Sequence, residues 1–208
     1  MAKIITFANV KGGTGKSTLC VNLAAALGTF GYTISVIDAD QQNCAFDWIN
    51  ASNDQNLKKV DVYQHSEILD LKKLTTDFVL VDTQGSLTRE MADYLAVSSL
   101  IVTPCKVSRD DIVGQGWVEI FLKQMGINAA GIPLLTVLNG VNKRSSILFH
   151  IIAQLKKDDI LTAQTTISQR VCFAETNVNR VSVIGYNKIA TLEMKSLTEE
   201  ILSLLSKE

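Results

Sequence analysis

A glycine-rich stretch with two lysines, and three aspartates that follow apolar runs, are the residues of this chain suited to chemistry on phosphate. The stretch reads Lys11-Gly12-Gly13-Thr14-Gly15-Lys16-Ser17-Thr18, inside a loop at Asn9–Thr18. Glycines let the backbone turn tightly, so that successive N–H groups converge on phosphate oxygens. Lys16 supplies a mobile positive charge for the β- and γ-phosphates of a nucleotide. The Ser17 hydroxyl is placed to ligate magnesium, and Thr18 can bond the next phosphate. Asp82, after the apolar run Phe78–Val81, stands where a carboxylate holds magnesium through water. Asp38 and Asp40 end another such run. Two residues apart in an extended chain, they are expected to point the same way. One of them could then help hold the metal while the other orients an attacking water. A single carboxylate at a strand end also serves as a helix cap or turn former.

Such a loop needs a strand before it and a helix after it, and the pattern supplies both. Ile4–Ala8 is a short apolar run, and Leu19, Leu23 and Leu27 repeat at the spacing of a helix packed on one face. Gly28 and Gly31 offer that helix a place to stop. Ile34–Ile37, Phe78–Val81, Leu100–Thr103 and Leu134–Leu138 are further apolar runs, too short for helices and rich in β-branched residues. Helical patterns fill the gaps at Phe46–Ala51, Glu67–Leu74, Thr88–Val97, Asp110–Met125, Ser145–Lys156 and Lys188–Ser206. Strands apolar throughout imply burial on both faces, hence a parallel sheet covered by helices. The expected fold is α/β, a doubly wound, mostly parallel sheet with helices on both faces, as one domain over residues 1–208. Ligands of such sheets sit outside the carboxyl ends of the strands. The stretches to read for chemistry are therefore Asn9–Ser17, Asp38–Gln42, Asp82–Ser86, Pro104–Asp111 and Asn139–Arg144.

With 208 residues the chain can bury a core without disulfide or metal staples, and its net charge of −1 favours neither nucleic acid nor a membrane surface. Any affinity for DNA must come from a local patch. Cys20, Cys44, Cys105 and Cys172 are scattered without zinc or redox spacing, and read as small hydrophobes in a reducing compartment. No leader pattern and no apolar run of transmembrane length is present in the sequence, so the expected location is cytoplasmic.

The loop departs from the common phosphate-loop pattern G-x-x-x-x-G-K-S/T, because Val10 stands at its first glycine. That departure, with Lys11 and Lys16 both present, resembles the deviant Walker A box of the ParA/MinD family of P-loop NTPases. Asn9 before the box, and Asp38-Ala39-Asp40 with Gln42 beyond, are similar too, and the resemblance spans nearly the whole chain. In length it is closest to the small ParA-type plasmid partition ATPases. The resemblance implies ATP and Mg2+ as cofactors and a homodimer in the ATP state, in which Lys11 reaches the partner copy's phosphates. It implies that Asp40 positions the hydrolytic water, that Asp38 supports the metal shell, and that Asp82 is the Walker B carboxylate. Asn139 would read the adenine edge, although Asn139-Gly140 is also an ordinary turn signal. Two departures, Gln41 where proline is common and Thr83-Gln84-Gly85-Ser86 after Asp82, bear on switch geometry rather than on charged ligands.

By the same resemblance, the ATP state binds nonspecific DNA through basic residues of the C-terminal half, and a ParB-like protein or cargo adaptor stimulates hydrolysis. Residues 139–208 carry nine Lys and Arg against seven Asp and Glu, whereas residues 1–138 carry eleven against fourteen. The candidates are Lys143, Arg144, Lys156, Lys157, Arg170, Arg180 and Lys188, each of which also reads as a solvated surface cation. The last helix has Leu197, Ile201, Leu204 and Leu205 on one stripe beside Glu199 and Glu200, which reads as a helix packed on the sheet rather than a membrane anchor. Three functions share this loop: a DNA- or cargo-positioning ATPase, including accessory roles in conjugative transfer; a ligase of the dethiobiotin synthetase type; and a reductase like the nitrogenase iron protein. Lys11 with the Asp38/Asp40 pair favours the first, and the lack of a second cysteine placed like Cys105 disfavours the third.

Overall fold

Five of the chain's strands are short runs of Val, Ile, Leu and Phe, residues that suit a pleated sheet covered on both sides. In the computed structural model, which describes residues 2–65, 71–86, 88–108, 118, 120–126 and 131–206, they line up in parallel. The strands are β1 (Lys3–Phe7), β2 (Ile34–Ala39), β3 (Val60–Gln64), β4 (Phe78–Thr83), β5 (Leu100–Cys105), β6 (Leu134–Val141) and β7 (Ile167–Ser168). They form one seven-stranded sheet in the order β3-β2-β4-β1-β5-β6-β7. The helices are α1 (Lys16–Thr29), α2 (Cys44–Asn50), α3 (Arg89–Ala96), α4 (Ser146–Lys157), α5 (Val171–Asn179) and α6 (Lys188–Leu205).

Alternate strand residues serve opposite layers. Ile5, Phe7, Val36, Leu80, Val102 and Val137 pack with Leu19, Leu23 and Leu27 of α1, Trp48 of α2 and Met194, Leu197 and Ile201 of α6. On the other face, Ile37, Val79 and Val81 meet Tyr94 of α3, while Ala8 and Ile101 meet Met91, Leu95, Phe121 and Leu122. Leu148, Ile151 and Leu155 of α4 pack against Cys105, Leu138 and Val141. The expected layering of helices on both faces is what is found.

The expectation of a single buried stripe on α1 is corrected, since every residue from Leu19 to Leu27 is buried. The reason is that α2 and α6 pack against α1 in addition to the sheet, so the helix lies inside the domain. Two strands and a helix carry too little pattern to have been expected. β3 is an edge strand with only Val60 and Val62 packed on the core, β7 has two residues, and α5 is short and largely exposed. Part of the helix expected over Glu67–Leu74 lies outside the described residues, and Leu71–Lys73 form a single 3-10 turn instead. Most of that expected over Asp110–Met125 also lies outside them, while residues 118 and 120–124 are helical.

The short edge strand β7 is held by two carboxylates of α6, one heptad apart. Glu193 accepts hydrogen bonds from the Ser168 amide (3.0 Å) and hydroxyl, and pairs with Lys143 at 2.7 Å. Glu200 accepts from the amides of Gln164 (2.8 Å) and Thr165 (2.7 Å). Lys143, one of the candidate DNA-contacting cations, is thereby engaged within its own chain. Burial pushes the Glu193 carboxyl up, but Lys143 and Ser168 outweigh it and hold the group below its ordinary value. A depressed carboxylate contributes stability above its unfolded pKa and loses it as pH falls through the folded one. Glu193→Ala is expected to cost about 1–3 kcal/mol at neutral pH, as for other buried charge-assisted bonds. The gap in melting temperature from the parent should narrow as pH drops below the ordinary glutamate range; a gap constant with pH would contradict this account.

Candidate nucleotide-binding site

The register of the sheet assembles the site. Phe7 of β1 stands beside Asp82 of β4, which in turn stands beside Asp38 of β2, so both aspartates flank the point where the chain leaves β1 for the loop. The loop then turns through Gly13 (φ 72°) and Gly15 (φ 94°), left-handed conformations that glycine adopts without cost. Gly15 is the N-cap of α1, and no side chain caps that helix start, nor is any acidic residue in its first turn. An uncapped helix N-terminus leaves backbone donors and a positive dipole end facing the loop, which suits a phosphate.

Asn9 anchors the loop from below. Its side-chain amide donates to the Pro104 carbonyl (2.7 Å), and its Oδ1 accepts from the Lys11 amide (3.0 Å). Lys16 is buried and donates through Nζ to the Lys11 carbonyl at 3.2 Å, so its partner here is a carbonyl rather than a carboxylate. Burial lowers its pKa, against the opposing pull of Asp82 and Asp40. Lys11 is less buried than Lys16. Asn139, expected at the adenine edge, donates its side-chain amide to the Thr14 carbonyl at 2.8 Å. A methyl on Gly15 would lie only 2.2 Å from that amide nitrogen, so the end of β6 braces the phosphate loop directly.

The two buried aspartates differ in what they hold. Asp38 Oδ1 accepts from the Asp40 amide (2.9 Å) and Oδ2 from the Phe46 amide (2.9 Å), so it stitches the turn 40–43 to the first turn of α2. Burial raises its pKa despite those bonds. β2 ends at Ala39, and Asp40 lies in the turn that follows, its Oδ1 accepting from the Gln42 amide at 3.0 Å while its charge still acts on Asp38, Asp82 and Lys16. Backbone donors recruited by Asp38 bend the chain before a further extended residue can form. Asp82, by contrast, is fully buried and neither of its oxygens has a hydrogen-bond partner. Burial pushes its pKa up to about 7; the nearby Ser17 hydroxyl and Lys16 lower it, and Asp38 and Asp40 raise it. Ser17 is close enough to favour the carboxylate without making a well-formed bond to it.

Orphaned oxygens on Asp82, an unpartnered buried Thr14 hydroxyl and the Ser17 hydroxyl suit a magnesium ion completed by phosphate oxygens and water. Among the described residues no group of three or more His, Cys, Asp or Glu could hold a metal without such outside ligands. Sequence reasoning missed two contributors. Asn22, a lone amide in the apolar stretch of α1, donates to the Thr18 carbonyl (2.8 Å) and accepts from the Val183 amide (2.8 Å). Gly85 lies against the Lys11–Gly12 peptide, where a methyl would meet Gly12 N at 2.8 Å. The polar break in the pattern was the available signal for Asn22; Gly85 had only its place after Asp82.

Residues 5–198 match the family described as CobQ/CobB/MinD/ParA nucleotide binding domain, and the chain belongs to that family. Its ParA/MinD members are ATPases that bind ATP with Mg2+. The maintenance of carboxysome distribution protein A of Halothiobacillus neapolitanus is 23% identical over 207 residues, 95% of each chain. A plasmid partition protein of Borrelia burgdorferi B31, bound to AMPPNP, superposes with a TM-score of 0.77 at 20% identity over 98% of this chain and 99% of that one. The septum site-determining protein MinD of Pyrococcus horikoshii, complexed with Mg-ADP, superposes with a TM-score of 0.74 at 18% identity over 97% and 96%. No helix among the described residues is long and apolar enough to cross a membrane.

The Asp82 carboxyl keeps its proton in the folded chain at pH values where the unfolded chain has lost it, so the free protein is expected to lose stability as pH rises from about 4 to 7. Asp82→Asn removes that penalty. Without nucleotide or metal it should melt above the parent at pH 8, by an amount on the order of a few kcal/mol, and near the parent at pH 4. It should also lose the Mg2+ dependence of nucleotide binding. A variant that melts below the parent at pH 8 would show that Asp82 is structurally satisfied.

Proposed function

We propose that the chain is an ATP-dependent dimerising switch that hydrolyses ATP slowly and positions or segregates DNA. The reading rests on the second lysine of the phosphate loop. Lys16 is buried beside Asp82 and belongs to its own chain's phosphates, whereas Lys11, five residues earlier and less buried, can serve a different molecule. In the closed homodimer Lys11 reaches the partner copy's phosphates. A cation that arrives only on dimerisation stabilises the charge that develops at the transferred phosphoryl group, as an arginine finger does. Gly12, Gly13, Thr14 and Gly15 cradle the phosphates with Lys16 and Thr18. Ser17 and Asp82 hold Mg2+, with Asp38 supporting that shell mainly through the turn it organises. Asp40 positions the attacking water, and Asn139, released from Thr14, turns to the adenine edge.

Closing the dimer doubles any basic surface of the C-terminal half, which makes binding to nonspecific DNA depend on nucleotide and fall steeply with salt. With Lys143 engaged by Glu193, we assign that surface to Arg144, Lys156, Lys157, Arg170, Arg180 and Lys188. A ParB-like protein or a cargo adaptor stimulates hydrolysis and resets the cycle, in the cytoplasm and on the nucleoid. A protein cargo in place of DNA is the second reading, favoured by the likeness over almost the full chain to a carboxysome distribution protein. A ligase of the dethiobiotin synthetase type shares the loop but gives Lys11 no task.

Light scattering and a salt-titrated gel shift with ADP and with ATP test the reading. The parent should dimerise and bind any duplex only with ATP. Lys11→Ala should lose both properties, and Asp40→Ala should keep both while losing more than about tenfold in turnover, as for other groups that orient the attacking water. A dimer without DNA binding would select the protein-cargo reading. A protein that stays monomeric with ATP would refute the switch.

A further inference from the structure

Lys11 is held through its backbone at three points. Its amide donates to Asn9 Oδ1 at 3.0 Å, its carbonyl accepts from Lys16 Nζ at 3.2 Å, and the face of the Lys11–Gly12 peptide lies against Gly85. The first two contacts come from the phosphate loop itself. The third comes from the segment that follows Asp82, and its closeness depends on glycine for space alone. A methyl on Gly85 would stand 2.8 Å from Gly12 N, 3.0 Å from Gly12 Cα and 3.1 Å from the Lys11 carbonyl carbon. Gly85 is not among the glycines with positive φ, so its backbone would accept any residue, and only the approach of the loop excludes a side chain. All three atoms are main chain, which moves only if the loop or the segment moves.

This arrangement matters when phosphate enters. The ammonium of Lys16 cannot bond the Lys11 carbonyl and the β- and γ-phosphates with the same geometry, so binding loosens one of the two contacts made within the loop. Gly85 then becomes the lateral support of the peptide that carries Lys11. It lies three residues from Asp82, whose orphaned carboxylate is the group most altered by a bound magnesium ion. We infer that Gly85 is a positioning residue: through backbone contact with the Lys11–Gly12 peptide it passes the state of the metal and phosphate site to Lys11, and so aligns that lysine for the partner copy. The inference rests on the reading of Lys11 given above.

The test compares Gly85→Ala, Lys11→Ala and Lys59→Ala, the last altering an exposed residue just before β3. Affinity for a fluorescent ADP analogue with Mg2+, melting temperature, ATP-dependent dimerisation and turnover are read for each. Gly85→Ala should bind ADP within about threefold of the parent, since the clash falls on the Lys11–Gly12 peptide ahead of Gly13–Thr18, yet lose ATP-dependent dimer and turnover about as fully as Lys11→Ala. Lys59→Ala should match the parent. If Gly85→Ala keeps parental dimerisation and turnover while Lys11→Ala loses them, the inference fails and the reading of Lys11 stands. If Lys11→Ala is itself unaffected, that reading fails and takes the inference with it. Equal loss of ADP binding in Gly85→Ala would reduce Gly85 to a support of the cradle and overturn the inference. Should Gly85→Ala not fold, hydrogen exchange on the parent decides: peptides covering 10–13 and 83–86 should gain protection together on adding Mg-ATP, and independent responses would overturn the coupling.

Discussion

An ionisable carboxyl buried without a partner at the centre of a parallel sheet is the constraint around which this molecule is arranged. Asp82 sits where β4, β1 and β2 run side by side, beneath the start of α1, and among the described residues none makes a well-formed hydrogen bond to its oxygens. A hydrogen-bonding neighbour would make the empty protein more stable and the site useless for a cation. The chain instead keeps the carboxyl dry and close to neutral, and offsets that strain by burying apolar surface all round α1. Lys16, pushed toward its uncharged form by the same burial, is the matching half of this arrangement. A magnesium ion beside Asp82 and phosphates beside Lys16 would favour the charged form of each.

Around that centre the flanking segments act as braces with distinct reach. Asn9 ties the loop to the end of β5, Asn139 ties it to β6, and Asp38 ties the turn after β2 to α2. A second set of bonds converges on the link between α5 and α6. The Trp48 indole donates to the Val181 carbonyl (3.2 Å), the Ser52 hydroxyl donates to the Arg180 carbonyl, and the Ser182 amide donates to Asp54 (2.8 Å). With Asn22 holding the Val183 amide, residues 180–183 touch α1, α2 and the turn after α2 at once. Rearrangement of the turn carrying Asp40 therefore has a hydrogen-bonded route through α2 to the start of α6.

Much of this was legible in the residues. The loop, the parallel sheet and the strand-end aspartates follow from spacing and β-branched runs, because burial on both faces writes an unbroken apolar signature. The parts that escaped are those whose cause is tertiary. β3 pairs on one side only, so its pattern is diluted by polar residues; β7 is held because Glu193, twenty-five residues later, claims the Ser168 amide, and Glu200 claims those of Gln164 and Thr165 just before it. The turn that carries Asp40 could not be read because it depends on which backbone donors Asp38 captures. Gly85 is a glycine for reasons of clearance against a loop seventy residues earlier, and no local pattern encodes a clearance.

The capped end of the sheet carries a consequence for how copies of this chain can meet. An open strand offers a row of unused donors and acceptors, and such edges template the stacking of one chain on the next. At β7 the row is two residues long, its Ser168 amide is already spent on Glu193, and the amides of Gln164 and Thr165 just before it are spent on Glu200. Growth by strand addition is closed off at that side. An edge that cannot propagate keeps any contact between copies from extending into fibres.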